Sequence, residues 1–186
     1  MVNRPVLINF VLFQLGWFVC VLGGAWHYPW AGVVYVALAT AWHFTQVANP
    51  RGEAVLLASG AAVGLVLDSI LPAAGWVTFP SGQFHPSLVP VWIIALWVLF
   101  AGTLNMSMRW LKHRYLLAAV FGGIGSPMSF YAGSRFGAVT LVDPVMALGA
   151  QAVLWAIVLP SLVWLAGRCE RLTFGRPVPA LARVRD

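Results

Sequence analysis

The chain has 186 residues, of which 61% are hydrophobic and only 9% are charged, whereas a soluble domain carries about 25% charged residues. This deficit excludes an ordinary soluble domain and indicates an integral membrane protein with one domain. The formal net charge of +6 does not indicate nucleic-acid binding, because the basic residues lie at the ends of apolar spans, where membrane topology explains them.

Six apolar stretches each approach the length of about 20 residues that a helix needs to cross a bilayer. None alternates in the manner of a β-barrel strand, so the sequence predicts an all-α bundle of six transmembrane helices. The predicted spans are 6–25, 30–48, 54–73, 88–108, 115–133 and 144–167. They form a single transmembrane domain over residues 1–170, followed by a basic cytoplasmic tail over 171–186.

Lys and Arg are distributed very unevenly between the two sides of these spans. All of them except Arg135 lie at the amino end, in the second and fourth links, or at the carboxyl end. This is the positive-inside pattern, and it predicts that both termini face the cytoplasm in a bacterial inner membrane. Cys20 and Cys169 then lie toward opposite faces, so we expect both to be unpaired packing residues.

Asp68 is the one carboxylate in an otherwise apolar third span. At the centre of a membrane helix such a residue costs roughly 2.5–3.5 kcal/mol. Gly60 and Gly64 precede it at intervals of four and share its helix face, and small residues let another backbone come close. We therefore expect Asp68 to face protein rather than lipid, in the outer half of the membrane.

The fifth span also carries a face of small residues, followed at its outer end by Arg135. A kink is expected at Pro127, which removes one backbone hydrogen bond. Because Arg135 lies at a depth similar to that of Asp68, the sequence predicts an ion pair between them, with Tyr131 completing an outer polar cluster. A structural ion pair, a binding or catalytic role, and exposure of Asp68 to lipid or water remain open. The small face consists of Gly122, Ser126, Ser129 and Gly133.

Polar side chains also collect toward the cytoplasmic ends of the first, second and fourth spans. Such groups usually hydrogen-bond between helices, and the alternative is a hydrated pocket that opens inward. This inner polar cluster comprises Asn9, His43, Gln46 and Asn105, near Gln14 and Thr40.

The motifs of several enzyme classes are missing from the sequence. It contains no CxxC, HExxH, P-loop or GxSxG pattern, so it indicates no metal, no cofactor and no recognisable catalytic motif. Whether the protein is an enzyme stays open at this point.

Two segments resemble those of a family of small bacterial inner-membrane proteins of unknown function. Residues 92–111, WIIALWVLFAGTLNMSMRWL, resemble its WxxALWxxFAxTLNxSxxWL segment, and residues 126–139, SPMSFYAGSRFGAV, resemble its GxPxxYxxGxxxGA segment. Met106 departs from the pattern, where a His is expected. The resemblance implies no reaction, but it implies a genetic setting beside cyclopropane-fatty-acid-synthase-like methyltransferases and flavin-dependent oxidoreductases that act on membrane lipids.

The leading hypothesis is an accessory or acyl-chain-binding component of membrane fatty-acid modification. Its ligand would be membrane lipid, and its partners would be soluble lipid-modifying enzymes at the cytoplasmic face. The small faces of the third and fifth spans would bind an acyl chain or pack a partner. The alternatives are a small transporter or flippase-like carrier that uses the two polar clusters in turn, and a membrane docking partner for soluble enzymes.

Overall fold

A computed structural model describes residues 4–171, and this part of the chain is almost entirely helical. The all-α prediction is confirmed, with one antiparallel pair of two-residue strands added to it. All of the predicted tail except residue 171 lies outside the described residues. The elements are α1 (Arg4–Ala25), α2 (Pro29–Gln46), α3 (Pro50–Asp68), α4 (Ile70–Ala73), β1 (Val77–Thr78), α5 (Val91–Ala101), a 3₁₀ turn (Arg109–Leu111), α6 (Tyr115–Arg135), β2 (Thr140–Leu141) and α7 (Pro144–Arg171).

Four helical stretches are long and apolar enough to cross a membrane: α1, α3 with α4, α6 and α7. Their length and composition indicate a membrane protein. The second and fourth predicted spans are not among them, because α2 contains polar residues along its 18 positions and α5 has only 11 residues. At 1.5 Å per residue, α5 is about 16 Å long, roughly half the thickness of a bilayer core.

The helix boundaries follow from local chemistry. Proline begins α2, α3 and α7, at the position where a missing N–H costs nothing. The side chain of Asn49 caps α3 by accepting a hydrogen bond from the N–H of Gly52 over 3.1 Å. Beyond the end of α3, the hydroxyl of Ser69 accepts a hydrogen bond from the N–H of Val89 over 3.1 Å. Pro127 does not end α6, which continues for eight residues beyond it.

The second link, the fourth link and the end of α7 meet at one end of the bundle. The side chain of Asn49 donates to the carbonyl of Cys169 over 3.2 Å. Glu170 accepts from Lys112 over 2.7 Å and pairs with Arg109 over 2.8 Å. The segments that carry most of the basic residues therefore share one end of the bundle.

The opposite end is built from the turns that join the other helix pairs. There β1 pairs with β2, and the hydroxyl of Ser81 donates to the carbonyl of Gly24 over 2.7 Å. Cys20 lies in α1 toward this end and Cys169 lies at the basic end; both are buried and free. Their predicted lack of pairing is confirmed.

The faces of small residues lie on α3 and α6. They pack against different helices, and each lies against a tryptophan. A Cβ added at Gly64 would fall on the indole ring of Trp97 in α5, and one added at Gly122 would fall on the backbone of Trp155 in α7. The rings of Trp97 and Trp155 then stack, with centroids 4.5 Å apart. These contacts make close packing of α3 on α5, and of α6 on α7, depend on glycine.

Candidate functional site

Asp68 lies at the centre of a buried hydrogen-bond network. Its Oδ2 accepts from the indole N–H of Trp97 over 2.7 Å, and its Oδ1 accepts from the amide of Gln151 over 2.9 Å. The Gln151 carbonyl oxygen accepts in turn from the Ser126 hydroxyl over 2.6 Å. Asp68 is 3% exposed and Gln151 is fully buried. Three helices, α5, α6 and α7, thus contribute to holding a single carboxylate of α3, which faces protein as the spacing of Gly60 and Gly64 predicts.

The predicted pair between Asp68 and Arg135 is wrong. Among residues 4–171, no ion pair includes Asp68, and Arg135 is exposed at the end of α6. Similar depth along two helices does not determine which way their side chains face, and Asp68 faces α5 and α7. Tyr131 is 54% exposed, so the structure does not bring the three predicted members of the outer cluster together.

A cavity of about 550 Å³ lies beside this network, bounded by α1, α5, α6 and α7. Its wall is mostly aromatic and aliphatic, and only four of its described lining side chains are polar. The aromatic lining residues are Phe13, Trp17, Phe18, Phe79, Trp92, Trp97, Phe100, Phe121, Phe130 and Trp155; the polar ones are Gln14, Asp68, Ser126 and Ser129.

The mouth of this cavity lies between α1 and α6. Lining residues of these two helices remain substantially exposed: Phe18 by 46%, Phe121 by 48% and Met128 by 65%. α1 packs mainly on α2 and α5, and α6 packs on α7, so the two helices leave a gap. Toward the end of the bundle that carries β1 and β2, the gap is bridged where the indole N–H of Trp17 donates to the Ser129 hydroxyl over 2.8 Å.

The inner polar cluster exists, and its centre is a residue that the sequence analysis missed. Glu53 is 4% exposed, and its two oxygens lie 2.8 Å from Nε2 of His43 and from the Asn105 amide. The carboxylate therefore joins α2, α3 and the segment after α5. A signal was present in the sequence, because His43 and Glu53 flank a short helix connection and lie ten residues apart.

Asn9 extends the inner cluster to the non-helical segment 102–108. Its amide donates to the carbonyl of Gly102 over 3.2 Å, and its side-chain oxygen accepts from the Ser107 hydroxyl over 2.6 Å. Non-helical backbone at membrane depth is tolerated only where protein or a hydrated cavity satisfies its polar groups. The Asn9 side chain satisfies two of these backbone groups, the carbonyl of Gly102 and the N–H of Ser107.

Gln46 is not a member of the inner cluster, and two polar atoms of the members that remain have no hydrogen-bond partner. Gln46 is exposed and donates to its neighbour Thr45. Among the described residues, Nδ1 of His43 and Oδ1 of Asn105 are buried without a hydrogen-bond partner. A cavity of about 10 Å³ beside Asn9 and His43 is close to the space that one water molecule requires, about 10–15 Å³.

Trp97 and Gln151 are also functional candidates that the sequence analysis missed. Each lies within an apolar span, where tryptophan is ordinarily a packing or interfacial residue and a lone glutamine carries no motif. Within the part of the chain that the structure describes, no group of three His, Cys, Asp or Glu residues is placed to hold a metal ion. The arrangement therefore offers a buried carboxylate beside a large apolar cavity, and a second carboxylate within a closed polar cluster.

Comparison with known proteins identifies the family. A model described as a protein of unknown function, DUF2878, matches residues 6–161. The chain belongs to this family. The DUF2878 match extends from α1 into α7 and includes both polar clusters. No curated protein and no solved structure matches the chain. The resemblance to a family of unknown function is thereby confirmed, and the genetic setting that it implies stays a prediction.

Proposed function

We propose that this protein is a lipid-binding component of membrane fatty-acid modification, which holds an acyl chain in the cavity between α1 and α6. The observation that carries the proposal is the cavity itself. Its volume of about 550 Å³ lies within the range of small-molecule sites, about 300–1,000 Å³. Its wall is predominantly apolar with a few convergent polar groups, which is the composition typical of such sites.

The position of the mouth supports a ligand that arrives from the bilayer. The exposed lining residues belong to α1 and α6, two of the helices that are long and apolar enough to cross a membrane. A gap between two such helices faces acyl chains rather than water. An acyl chain can therefore enter sideways, with its apolar part remaining in apolar surroundings throughout.

The membrane arrangement that we propose has six spans and both ends in the cytoplasm of a bacterial inner membrane. The grouping of Arg109 and Lys112 with the end of α7 supports a single cytoplasmic face. In this arrangement α5 and the segment 102–108 cross together as one broken span, which the side chains of Asn9 and Asn105 hold in place.

The accessory role rests on the setting that the family resemblance implies. Soluble methyltransferases or oxidoreductases that modify acyl chains need access to a chain in the bilayer, and a membrane component that holds the chain would provide it. The basic end of the bundle is the proposed contact for such enzymes, since exposed Arg114 and Arg168 lie there.

The test is a lipid profile by mass spectrometry of cells that lack the gene. These cells are complemented with wild type, with Gly125→Leu or with Gly149→Leu. Gly125 lines the mouth of the cavity, and Gly149 lies exposed on α7 outside it. A Cβ added at either position meets no atom within 4 Å, so the two variants are matched.

We expect deletion to change the modification of acyl chains, and we expect wild type and Gly149→Leu, but not Gly125→Leu, to restore it. A profile that deletion leaves unchanged would overturn the lipid-modification proposal. In that case the carrier hypothesis would take precedence, and it predicts that the two polar clusters become accessible to water from opposite sides in turn.

A further inference from the structure

The hydrogen bonds of Asp68 favour an ionised carboxylate. Both of its oxygens accept from N–H donors, the indole of Trp97 and the amide of Gln151. A protonated carboxyl group would use one oxygen as a donor, whereas an ionised one only accepts. Hydrogen bonds to the charged form also favour that form. The network therefore favours a negative charge on Asp68, beside the cavity.

No positive side chain compensates this charge within residues 4–171. The ion pairs there involve Glu53 and Glu170 and never Asp68, and no Lys, Arg or His lines the large cavity. Trp97 and Gln151 are neutral donors. A buried charge without an opposite charge is unfavourable, and ionisable residues within membrane spans often serve as counter-ions for ligands.

We propose that the cavity binds an amphiphile with a positively charged ammonium head, which lies at Asp68 while the apolar chain runs along the aromatic wall. This inference rests on the proposed function and specifies its ligand class. The two donors use one acceptor position on each oxygen of Asp68. Because an ionised carboxylate offers about four such positions, it can still accept hydrogen bonds from an ammonium group.

The remainder of the wall suits the same ligand. The faces of tryptophan rings attract cations electrostatically, and Trp17, Trp92 and Trp155 line the cavity with Trp97. A free fatty acid would instead bring a second carboxylate toward Asp68, with no described basic residue in the lining to separate the charges. Charge therefore selects an amine-bearing amphiphile over an anionic one.

The experiment compares two ions of the same shape and opposite charge, tetraphenylphosphonium and tetraphenylborate. Their binding to the purified full chain in dodecyl maltoside is measured by equilibrium dialysis, with protein-free micelles as the reference. We expect saturable binding of the phosphonium and binding of the borate that is weaker by about tenfold or more. Equal binding of both ions, or preference for the borate, would overturn the inference without any variant being made.

Two variants locate the binding. Asp68→Asn keeps the shape but removes the charge, and we expect it to weaken phosphonium binding by about tenfold or more. Gly125→Leu fills the mouth and should weaken binding of the phosphonium as well, whereas Gly149→Leu should leave it unchanged. Undiminished phosphonium binding by a folded Asp68→Asn protein would contradict the assignment of the head to Asp68.

Competition distinguishes the sources of the ammonium group. Displacement of the phosphonium by phosphatidylethanolamine would identify a lipid headgroup, and displacement by dodecylamine alone would identify a free amphiphile. If dodecanol binds as tightly as dodecylamine, and Gly125→Leu weakens both, the lipid-binding proposal stands and the charge inference fails. If none of these probes binds, both fail.

Discussion

Nε2 of His43 and Oε1 of Glu53 lie 2.8 Å apart, and each side chain is only 5% exposed. Glu53 uses its other oxygen to accept from the Asn105 amide. The carboxylate is therefore the shared acceptor of two donors on different segments, and its removal would leave both of them buried without a partner.

Glu53→Ala is predicted to destabilise the protein substantially. Each buried donor left unsatisfied costs about 1–3 kcal/mol, and two donors are affected. The matched control is Glu170→Ala, which removes a carboxylate that likewise holds two side chains, Arg109 and Lys112, but is 38% exposed. Such exposed pairs contribute about 0–1 kcal/mol. Thermal unfolding of the solubilised protein measures both, and equal losses would contradict the prediction.

Gln151→Leu is predicted to destabilise the protein, whereas Arg135→Gln is predicted to be almost neutral. Leucine at 151 leaves Asp68 with one donor and the Ser126 hydroxyl without its acceptor, at about 1–3 kcal/mol for each buried group. Arg135 is exposed, and surface substitutions usually change stability by less than about 0.5 kcal/mol. Unfolding in detergent compares the variants. A large loss of stability from Arg135→Gln would contradict the prediction and support an ion pair between Arg135 and Asp68.

Gly64→Leu is predicted to separate α3 from α5. The added side chain would occupy the place of the Trp97 indole, and overpacking typically costs about 1–3 kcal/mol. The displaced indole would lose its hydrogen bond to Asp68, so its fluorescence emission should shift together with a lower Tm. Gly149→Leu adds the same side chain in open space. A Gly64→Leu protein that unfolds like the Gly149→Leu protein would refute the close contact.

Single cysteines are predicted to report the two ends of the bundle. In a chain with Cys20 and Cys169 replaced by serine, Phe84→Cys and Ala48→Cys place exposed thiols on opposite ends. A membrane-impermeant maleimide added to spheroplasts should label position 84 at once. It should label position 48 only after the membrane is permeabilised. The reverse pattern would show that the bundle has the opposite orientation. Immediate labelling of both positions would exclude the placement of the two ends on opposite sides of the membrane.

The helices could be predicted from the sequence because hydropathy and the positions of Pro and charge act along the chain. The partner of Asp68 could not, because depth places a residue along its helix but not around it. The four-residue spacing of Gly60, Gly64 and Asp68 indicated a protein-facing side correctly. Which helix lies on that side depends on the packing of Trp97 and Trp155, which no local pattern encodes.

The extent of α5 was the other unpredictable feature. Residues 88–108 read as one apolar span, yet the helix ends at Ala101. Thr103, Asn105 and Ser107 follow, and such side chains compete with the backbone for hydrogen bonds. Thr103 bonds back to Phe100 over 2.6 Å, while Asn105 and Ser107 bond to the inner cluster. Hydropathy does not register that competition.

The shortness of α5 also couples the Asp68 network mechanically to the inner polar cluster. Trp97 fixes the helix to Asp68, and the carbonyl of Gly102, one residue past its end, is fixed by Asn9. These attachments lie five residues apart, about 7–8 Å along a helix axis, on a rod too short to bend between them. A displacement of the Trp97 indole by an occupant of the cavity would therefore tilt α5 as a lever and move the backbone around Gly102, next to the inner polar cluster.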